Sequence, residues 1–323
     1  KYTFWKDDIN KHCDILENLW AVDSKDEAIY FGESSNFHKA ENDTSRHRIS
    51  YILDNIIPEI NIGTVDNSGL HAGIFLSVIK NINKNSSLKL LIVTLNLRSF
   101  GANWRYATGE NYLSKTELML SNYPSIVSKF LVSLQSYDFK TDQERHIEMK
   151  QAWETEVFNI PNFVYNNVNN WDSAMAWYEW VDINPYLSEE KIPLACHYIK
   201  NFAFKIDTLS NARILDFDEI MKIANKRKYN VIFNLLSENM NEAKNLAGDE
   251  LIYLMEHNRK LLIDRYTNKG AIVVDNLYSV PDSCFVDRNW PTEHYSRYGK
   301  EIIANNIKRA NTRIYKRIIR NAL

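Results

Sequence analysis

The sequence is poor in several features that define whole classes of protein. Only three of its 323 residues are cysteine (Cys13, Cys196 and Cys284). They are odd in number and lie far apart, which excludes a disulfide framework and a Cys-x-x-Cys metal site. No apolar run approaches the length of a membrane span. The formal net charge is −2, so no overall field would attract nucleic acid or an anionic membrane.

Two common ligand-binding motifs are missing as well. The glycines form no phosphate-binding loop, because Gly63, Gly69 and Gly73 have the wrong spacing and context for one. His146 and Glu148 are too close together for a His-Glu-x-x-His motif, and no second histidine follows them. We therefore expect neither a nucleotide cofactor nor a metal ion.

What is present is the composition of a folded globular protein, with 45% hydrophobic and 25% charged residues. Five short apolar runs are rich in Val, Ile and Leu, and helical patterns such as Arg48–Ile57, Ile74–Ile82 and Ala243–Tyr266 separate them. This alternation predicts an α/β fold with a doubly wound parallel sheet of about five strands flanked by helices. The predicted strands are Ala28–Phe31, Ile60–Val65, Leu88–Leu95, Val231–Leu236 and Ala271–Val274.

A long interval without a clear strand separates the third run from the fourth. Trp171, Met175 and Tyr178 recur there at helical spacing. An interval of this length is too long for a loop and needs structure of its own. We predict a single domain over residues 1–323, with a mostly helical insertion at residues 106–228.

The segment after Gly299 predicts one long amphipathic helix. Basic residues alternate with an inward face, and a solvated basic face is favoured over a role on membranes or anionic polymers. The predicted inward face consists of Ile302, Ile303, Ile307, Ile314 and Ile318.

Polar residues follow the predicted strands at the edge where such sheets bind ligands. Ser34 follows the first strand, Gly69 the second and Asn96 the third, while His294 comes after the fifth. A serine nucleophile needs a histidine to take its proton. Backbone amides and an asparagine side chain can stabilise the oxyanion of a tetrahedral intermediate. The set therefore predicts an acyl-transfer site.

These four blocks resemble those of the SGNH (GDSL-type) hydrolases. Members of that family carry Gly-Asp-Ser after the first strand, a glycine after the second, an asparagine after the third and a late Asp-x-x-His. The resemblance covers roughly residues 27–105 and 228–310. It implies an SGNH-hydrolase-like, flavodoxin-like fold, Ser34 as nucleophile, His294 as general base, and an oxyanion hole of the Ser34 and Gly69 amides with the Asn96 side chain. The matching blocks are Gly32-Glu33-Ser34, Ser68-Gly69, Thr94-Leu95-Asn96-Leu97 and His294 with Gly299.

Two positions depart from the family pattern. Glu33 stands where aspartate is usual, and Pro291 stands where the aspartate of the triad is expected. Asp287 lies seven positions before His294, and Glu293 adjoins the histidine. We favour Asp287 as the group that orients His294, because adjacent residues on one loop rarely face each other. A backbone carbonyl could orient the ring instead, which would leave a Ser–His dyad.

Each of these residues also has a purely structural interpretation. Ser34 could cap a helix, with Ser35 as its local rival for the catalytic role. Gly69 could be a left-handed turn residue, Asn96 an Asx-turn and His294 a surface histidine. Four unrelated turn residues have no reason to occur in this order, so the catalytic interpretation is preferred.

Candidate substrate-binding residues follow the third block. Arg98, Trp104 and Arg105 come shortly after Asn96, close to the expected oxyanion hole. Arg98 could contact an acidic polysaccharide or anchor a loop. The tryptophans between Trp153 and Trp180 could form the core of the insertion or stack on sugar rings.

The remaining histidines of the amino-terminal half carry weaker signals. His71 follows the second block, and it could line the pocket or begin a helix. His38 and His47 lie in the polar stretch after Ser34, where helix entry explains them.

The sequence thus predicts a serine esterase that removes an O-acetyl group from a carbohydrate through a Ser-His(-Asp) acyl-enzyme. The alternatives are an O-acyltransferase on the same site, or a catalytically decayed polysaccharide-binding or assembly protein. The expected partner is an acylated carbohydrate or polysaccharide, with no nucleic acid and no cofactor. The chain begins with Lys1, and we expect a missing amino terminus that could have carried a signal peptide or membrane anchor. The habits of the family favour an extracytoplasmic place at a bacterial envelope.

Overall fold

Five parallel strands form one sheet, in the order β2-β1-β3-β4-β5. The computed structural model describes residues 26–39, 47–83, 87–106, 110–120, 124–156, 191–288 and 290–322. Each predicted strand overlaps an observed one, and the ends differ by at most two residues. The predicted doubly wound parallel α/β sheet is therefore confirmed. The strands are β1 (Ala28–Gly32), β2 (Ile62–Asp66), β3 (Leu90–Leu95), β4 (Asn230–Leu235) and β5 (Ile272–Asp275).

Helices cover both faces of this sheet, which explains why its central strands are apolar on both sides. Ile29 and Phe31 of β1 pack into one apolar core, while Tyr30 packs into the other. The helices are α1 (Ser34–Phe37), α2 (Ile49–Ile56), α3 (Ala72–Asn81), α4 (Ala102–Arg105), α5 (Glu110–Leu120), α6 (Ile126–Ser133), α7 (Asp142–Thr155), α8 (Ile192–Phe202), α9 (Ala212–Arg227), α10 (Met240–Asn268) and α11 (Arg297–Ala322), with 3₁₀ turns at Leu97–Phe100 and Asp282–Cys284.

The described part of the predicted insertion, residues 106–228, consists of helices and loops. Its last helix, α9, lies on the sheet: the rings of Phe217 and Phe233 of β4 are 5.3 Å apart. This helix is the crossover that leads into β4. The segment with Trp171, Met175 and Tyr178, and the side chain of Trp153, lie outside what the structure describes.

The carboxyl-terminal helix α11 begins three residues before the predicted start and packs against α2. Ile303 and Ile307 are fully buried, as predicted, and Lys308 is exposed. Ile302 is only half-buried, because Ala304 and Ala310 complete the inward face instead. The side chains of Ile314 and Ile318 lie outside the described set. Among the described residues, no helix is both long and apolar enough to span a bilayer.

The order of the strands creates the crevice in which the site lies. The chain leaves β1 for β2 on one side and later returns for β3 on the other, so the strand order reverses next to β1. Sheets of this kind bind ligands at that point, beyond the carboxyl ends of the strands. Ser34 directly follows β1 and therefore lies at this edge.

Candidate active site

A crowded glycine brings Ser34 to the edge of the sheet. A Cβ atom on Gly32 would lie 2.8 Å from the ring of Tyr30 and 3.1 Å from Cβ of Asn36. No larger residue fits where β1 turns into α1, and this explains why the buried strand ends in glycine. Ser34 is partly exposed, whereas its rival Ser35 is fully buried. Ser34 is thus the hydroxyl that a substrate can reach.

A continuous chain of hydrogen bonds runs from Ser34 to a carboxylate. Nε2 of His294 lies 2.9 Å from Oγ of Ser34, and Nδ1 of the same ring lies 2.6 Å from Oδ2 of Asp287. Thr292 donates a further hydrogen bond to that carboxylate oxygen. The contact with Asp287 fixes Nδ1 as the protonated nitrogen, so Nε2 is free to accept the proton of Ser34.

The loop before α11 explains how an aspartate seven residues away reaches the histidine. Phe285 and Tyr295 form an antiparallel bridge, and the amide of Val286 donates to the carbonyl oxygen of His294 at 3.0 Å. The loop therefore folds back on itself and brings Asp287 alongside the ring of His294. The usual Asp-x-x-His spacing is not needed in this arrangement.

The protonation states suit a proton relay. Burial lowers the pKa of His294, and the nearby ring of His38 lowers it further against the opposing charge of Asp287. Burial alone would raise the pKa of Asp287, but the hydrogen bond from Thr292 and the His294 ring bring it below its usual value. At neutral pH the imidazole is therefore neutral and the carboxylate ionised, as a general base and its orienting acid require.

His38 is part of this site, which the sequence analysis did not recognise. Its ring stacks on that of His294 with centroids 3.8 Å apart and planes 16° apart. Nε2 of His38 lies 3.8 Å from Oδ1 of Asp287, and the buried ammonium of Lys300 donates to the carbonyl oxygen of His38. The four-residue spacing from Ser34, one helical turn, is the signal that could have indicated His38.

Among the described residues, the two stacked histidines and Asp287 are also the group of side chains that could hold a metal ion. One nitrogen or oxygen from each of His38, Asp287 and His294 lies within 4.8 Å of the others. An imidazole binds a metal in the plane of its ring, at about 2 Å. Because the two rings are stacked, an ion in the plane of one lies outside the plane of the other. This geometry fits a proton relay better than a metal centre.

Two of the predicted oxyanion donors, Gly69 and Asn96, follow the two strands that flank β1. Gly69 has a φ of +71° in the turn after β2, a conformation that favours glycine. Nδ2 of Asn96 donates to Oε1 of Glu33 at 2.8 Å, next to the nucleophile. Since an asparagine amide carries two N–H groups, the second could reach an oxyanion at Ser34. The oxyanion roles of the Ser34 and Gly69 amides and of Asn96 stay predictions.

Arg98 is placed differently from its predicted role in substrate binding. It is buried, with Nη2 2.6 Å from Oε2 of Glu293 and Nη1 3.4 Å from the carbonyl oxygen of Pro291. Its guanidinium also lies 4.7 Å from the centre of the Trp104 ring. Arg98 thus anchors the loop that carries His294, the alternative left open by the sequence.

The other three predicted substrate residues are also engaged within the protein. The indole of Trp104 donates to Oδ1 of Asn201 at 3.2 Å, although part of the ring remains exposed. Arg105 forms an ion pair with Glu156. His71 is buried and caps α3, where its Nδ1 accepts from the amide of Gly73 at 3.2 Å. His71 is therefore a helix-start residue, and Trp104 is the best remaining candidate for contact with substrate.

Comparison with known proteins gives distant matches among solved structures. No family model and no curated protein matches the chain. Among solved structures, a mutant acetyl-xylooligosaccharide esterase from Geobacillus is 11% identical, with a TM-score of 0.40 over 90% of this chain and 95% of that one. A carbohydrate acetylesterase family member from Sinorhizobium meliloti is 8% identical, with a TM-score of 0.37 over 88% and 96%. Similarity this low transfers neither an activity nor the role of any residue.

Proposed function

We propose that this protein is a serine esterase that hydrolyses an ester-linked acyl group, an O-acetyl group of a carbohydrate. The observation that supports it is the hydrogen-bonded chain Ser34–His294–Asp287, whose ends are far apart in the sequence. Ser34 is accessible, His294 is neutral and Asp287 is ionised at neutral pH, which is the state that acyl transfer requires. The sugar-acetate part of the proposal comes from the family resemblance.

The mechanism follows from the atoms present. Oγ of Ser34 attacks the acyl carbon while Nε2 of His294 takes its proton, and Asp287 stabilises the imidazolium that forms. The amides of Ser34 and Gly69 and the side chain of Asn96 would hold the oxyanion. His294 then gives this proton to the sugar oxygen as the ester C–O bond breaks, so that the sugar leaves with a free hydroxyl. Water, activated by the same ring, releases the acid from Ser34.

The alternatives differ in the acceptor or in the loss of chemistry. A transferase would use the same acyl-enzyme and pass the acyl group to a sugar hydroxyl in place of water. A decayed binding protein has no need of a 2.9 Å contact between an accessible serine and a neutral histidine. We therefore rank the esterase first, with the acyltransferase second.

A serine-reactive fluorophosphonate probe tests the proposal directly. We expect labelling of the wild-type protein and of Ser35→Ala, a matched control one residue away, but not of Ser34→Ala. Acetate release from acetylated oligosaccharides, with and without an added sugar acceptor, then separates hydrolysis from transfer. Equal labelling of the wild type and Ser34→Ala, or no labelling of the wild type, would contradict the proposal.

A further inference from the structure

Four charged side chains meet next to the candidate active site, and we refer to them as the acid cluster: Glu33, Arg98, Glu238 and Glu293. They come from the ends of β1, β3 and β4 and from the loop that carries His294. All four are at most 5% exposed. The convergence of parallel strand ends brings them together although they are distant in sequence.

The acid cluster is not charge-balanced. Among the residues that the structure describes, Arg98 is the cation that faces its three carboxyl groups, and Nη2 of Arg98 lies 2.6 Å from Oε2 of Glu293. Two further ionised carboxylates would be buried without a cation of their own. Such burial is costly enough that carboxyl groups take up protons instead.

The hydrogen bonding of Glu238 and Glu293 indicates where one proton lies. Oε1 of Glu238 and both carboxyl oxygens of Glu293 are buried without a hydrogen-bond partner among the described residues, although Oε2 of Glu293 lies in the ion pair with Arg98. The two carboxyl groups contact each other, and burial together with the charge of Glu293 raises the pKa of Glu238 well above its usual value. A proton on Glu238 supplies the missing donor between them. Glu293 is then the ionised partner of Arg98.

Within the described residues Glu33 has no cation of its own, since Arg98 is paired with Glu293, and it contacts the predicted oxyanion donor. Its Oε1 accepts from Nδ2 of Asn96 at 2.8 Å. Burial and the charge of Glu293 raise the pKa of Glu33 to about 7, against the opposing effects of Arg98 and Asn96. A protonated carboxyl group keeps an oxygen that can accept, so the contact with Asn96 does not require ionisation.

We propose that Glu33 is a positioning residue that holds Asn96 while protonated, and that ionisation of Glu33 weakens the oxyanion hole. An ionised Glu33 would place a negative charge one hydrogen bond away from the donor that faces the developing oxyanion, opposing the charge of the tetrahedral intermediate. The inference rests on the proposed esterase function. Besides the acid cluster, Tyr30 and Tyr295 face Glu33, and burial raises the pKa of both, so they stay neutral.

The pH dependence of kcat in Glu33→Gln tests this inference. Glutamine keeps the size and the acceptor oxygen but cannot ionise. We expect wild-type kcat to fall as the pH rises through about 7, and the kcat of the variant not to fall there. At about pH 8, kcat as a fraction of its value at low pH should therefore be about tenfold lower in the wild type than in the variant. The matched control is Glu59→Gln, at an exposed glutamate, which should follow the wild type. An unchanged alkaline fall in Glu33→Gln would overturn the inference.

Two measurements test the proton without relying on activity. Because the pKa of Glu33 is raised from 4.5 to about 7 on folding, its contribution to stability is full below pH 4.5 and is lost as the pH rises through about 7. Unfolding by urea should therefore show a smaller loss of stability between about pH 5 and 8 in Glu33→Gln than in the wild type.

Infrared spectra of the wild type and of Glu33→Gln are compared, because burial raises the pKa of Glu156 to about 7 as well. A band of protonated carboxyl should disappear through the same range in the wild type and be missing from Glu33→Gln. If stability depended on pH equally in the two proteins, or if no such band were seen, the inference that Glu33 is protonated would be wrong. A protein with both signals but no esterase activity at any pH would overturn the proposed function, and with it the effect on the oxyanion hole.

Discussion

Two sets of polar residues flank Ser34, and they differ in charge balance. On the β2 side lies what we call the rim network: Asn36, Arg48, Ser50 and Asp66. There, Nη1 of Arg48 lies 2.8 Å from one oxygen of Asp66, and Nδ2 of Asn36 lies 2.6 Å from the other. On the β3 and β4 side, the acid cluster holds three carboxyl groups against one guanidinium.

The rim network shows that this edge of the sheet can supply a buried carboxylate with an ion-pair partner and hydrogen-bond donors. Burial raises the pKa of Asp66 too, but Arg48 and Asn36 oppose that effect. The acid cluster leaves part of its carboxyl oxygens without donors, and it does so beside Asn96 and His294. Titratable groups with strongly perturbed environments concentrate at functional sites. The imbalance therefore lies on the side of Ser34 where we propose that catalysis takes place, whereas the rim network supports the structure on the other side.

The largest effect is expected at Asp287, the carboxylate whose role we propose to be chemical. Asp287→Asn keeps the shape of the side chain but favours the wrong tautomer of His294, so kcat should fall by roughly 10³–10⁴-fold with little change in stability. Steady-state kinetics on an aryl acetate and urea unfolding measure the two quantities. Asp282→Asn, on the same segment, is the control and should keep its activity. A loss of only a few-fold would show that a backbone carbonyl suffices, leaving a dyad.

Breaking the ion pair of the acid cluster should have the next largest effect. Arg98→Met leaves Glu293 buried without a cation, which should cost about 3–5 kcal/mol of stability. Adding Glu293→Gln removes that charge and should restore much of the loss. Urea unfolding measures both variants.

Arg48→Met provides the matching test in the rim network. The Arg48 side chain is 48% exposed, so its loss should cost only about 1 kcal/mol or less. If Arg48→Met proved as costly as Arg98→Met, the contrast between the two sets of residues would be wrong.

The smallest effect is expected at His38, and it tests the electrostatics of the Ser34–His294–Asp287 chain of hydrogen bonds. His38 lowers the pKa of His294, so the base stays neutral to lower pH than it otherwise would. In His38→Gln the pKa of His294 rises, and the acid limb of kcat/KM should move to higher pH. His47→Gln, from the same stretch of sequence, should leave the limb in place. A limb that stays still or moves to lower pH in His38→Gln would exclude this electrostatic role.

The sheet and the Ser–His contact could be predicted because their signals are local. Buried strands appear as short apolar runs, and strand order places whatever follows them on one edge. Ser34 and His294 each lie directly beside such a signal, and Asp287 was chosen from the few acids on one loop. The fold then brings these three residues together.

The acid cluster and the stacking of His38 had no comparable signal. Glu238 and Glu293 are adjacent only because two strand ends and a folded-back loop converge, and no periodicity marks that contact. Arg98 was predicted to bind substrate because of its proximity to Asn96, whereas the buried charge of Glu293 engages it. Ion pairs between loops depend on relative orientation, which a one-dimensional pattern does not carry.

One ammonium group has a consequence for how this site can change. Lys300 is almost fully buried, and its Nζ contacts the carbonyl oxygen of His38 and, at 3.4 Å, that of His47. One side chain of α11 thus holds two backbone carbonyl groups, which lie on either side of residues 39–46 in the sequence. The place of His38 beside the nucleophile therefore depends on a helix from the far end of the chain.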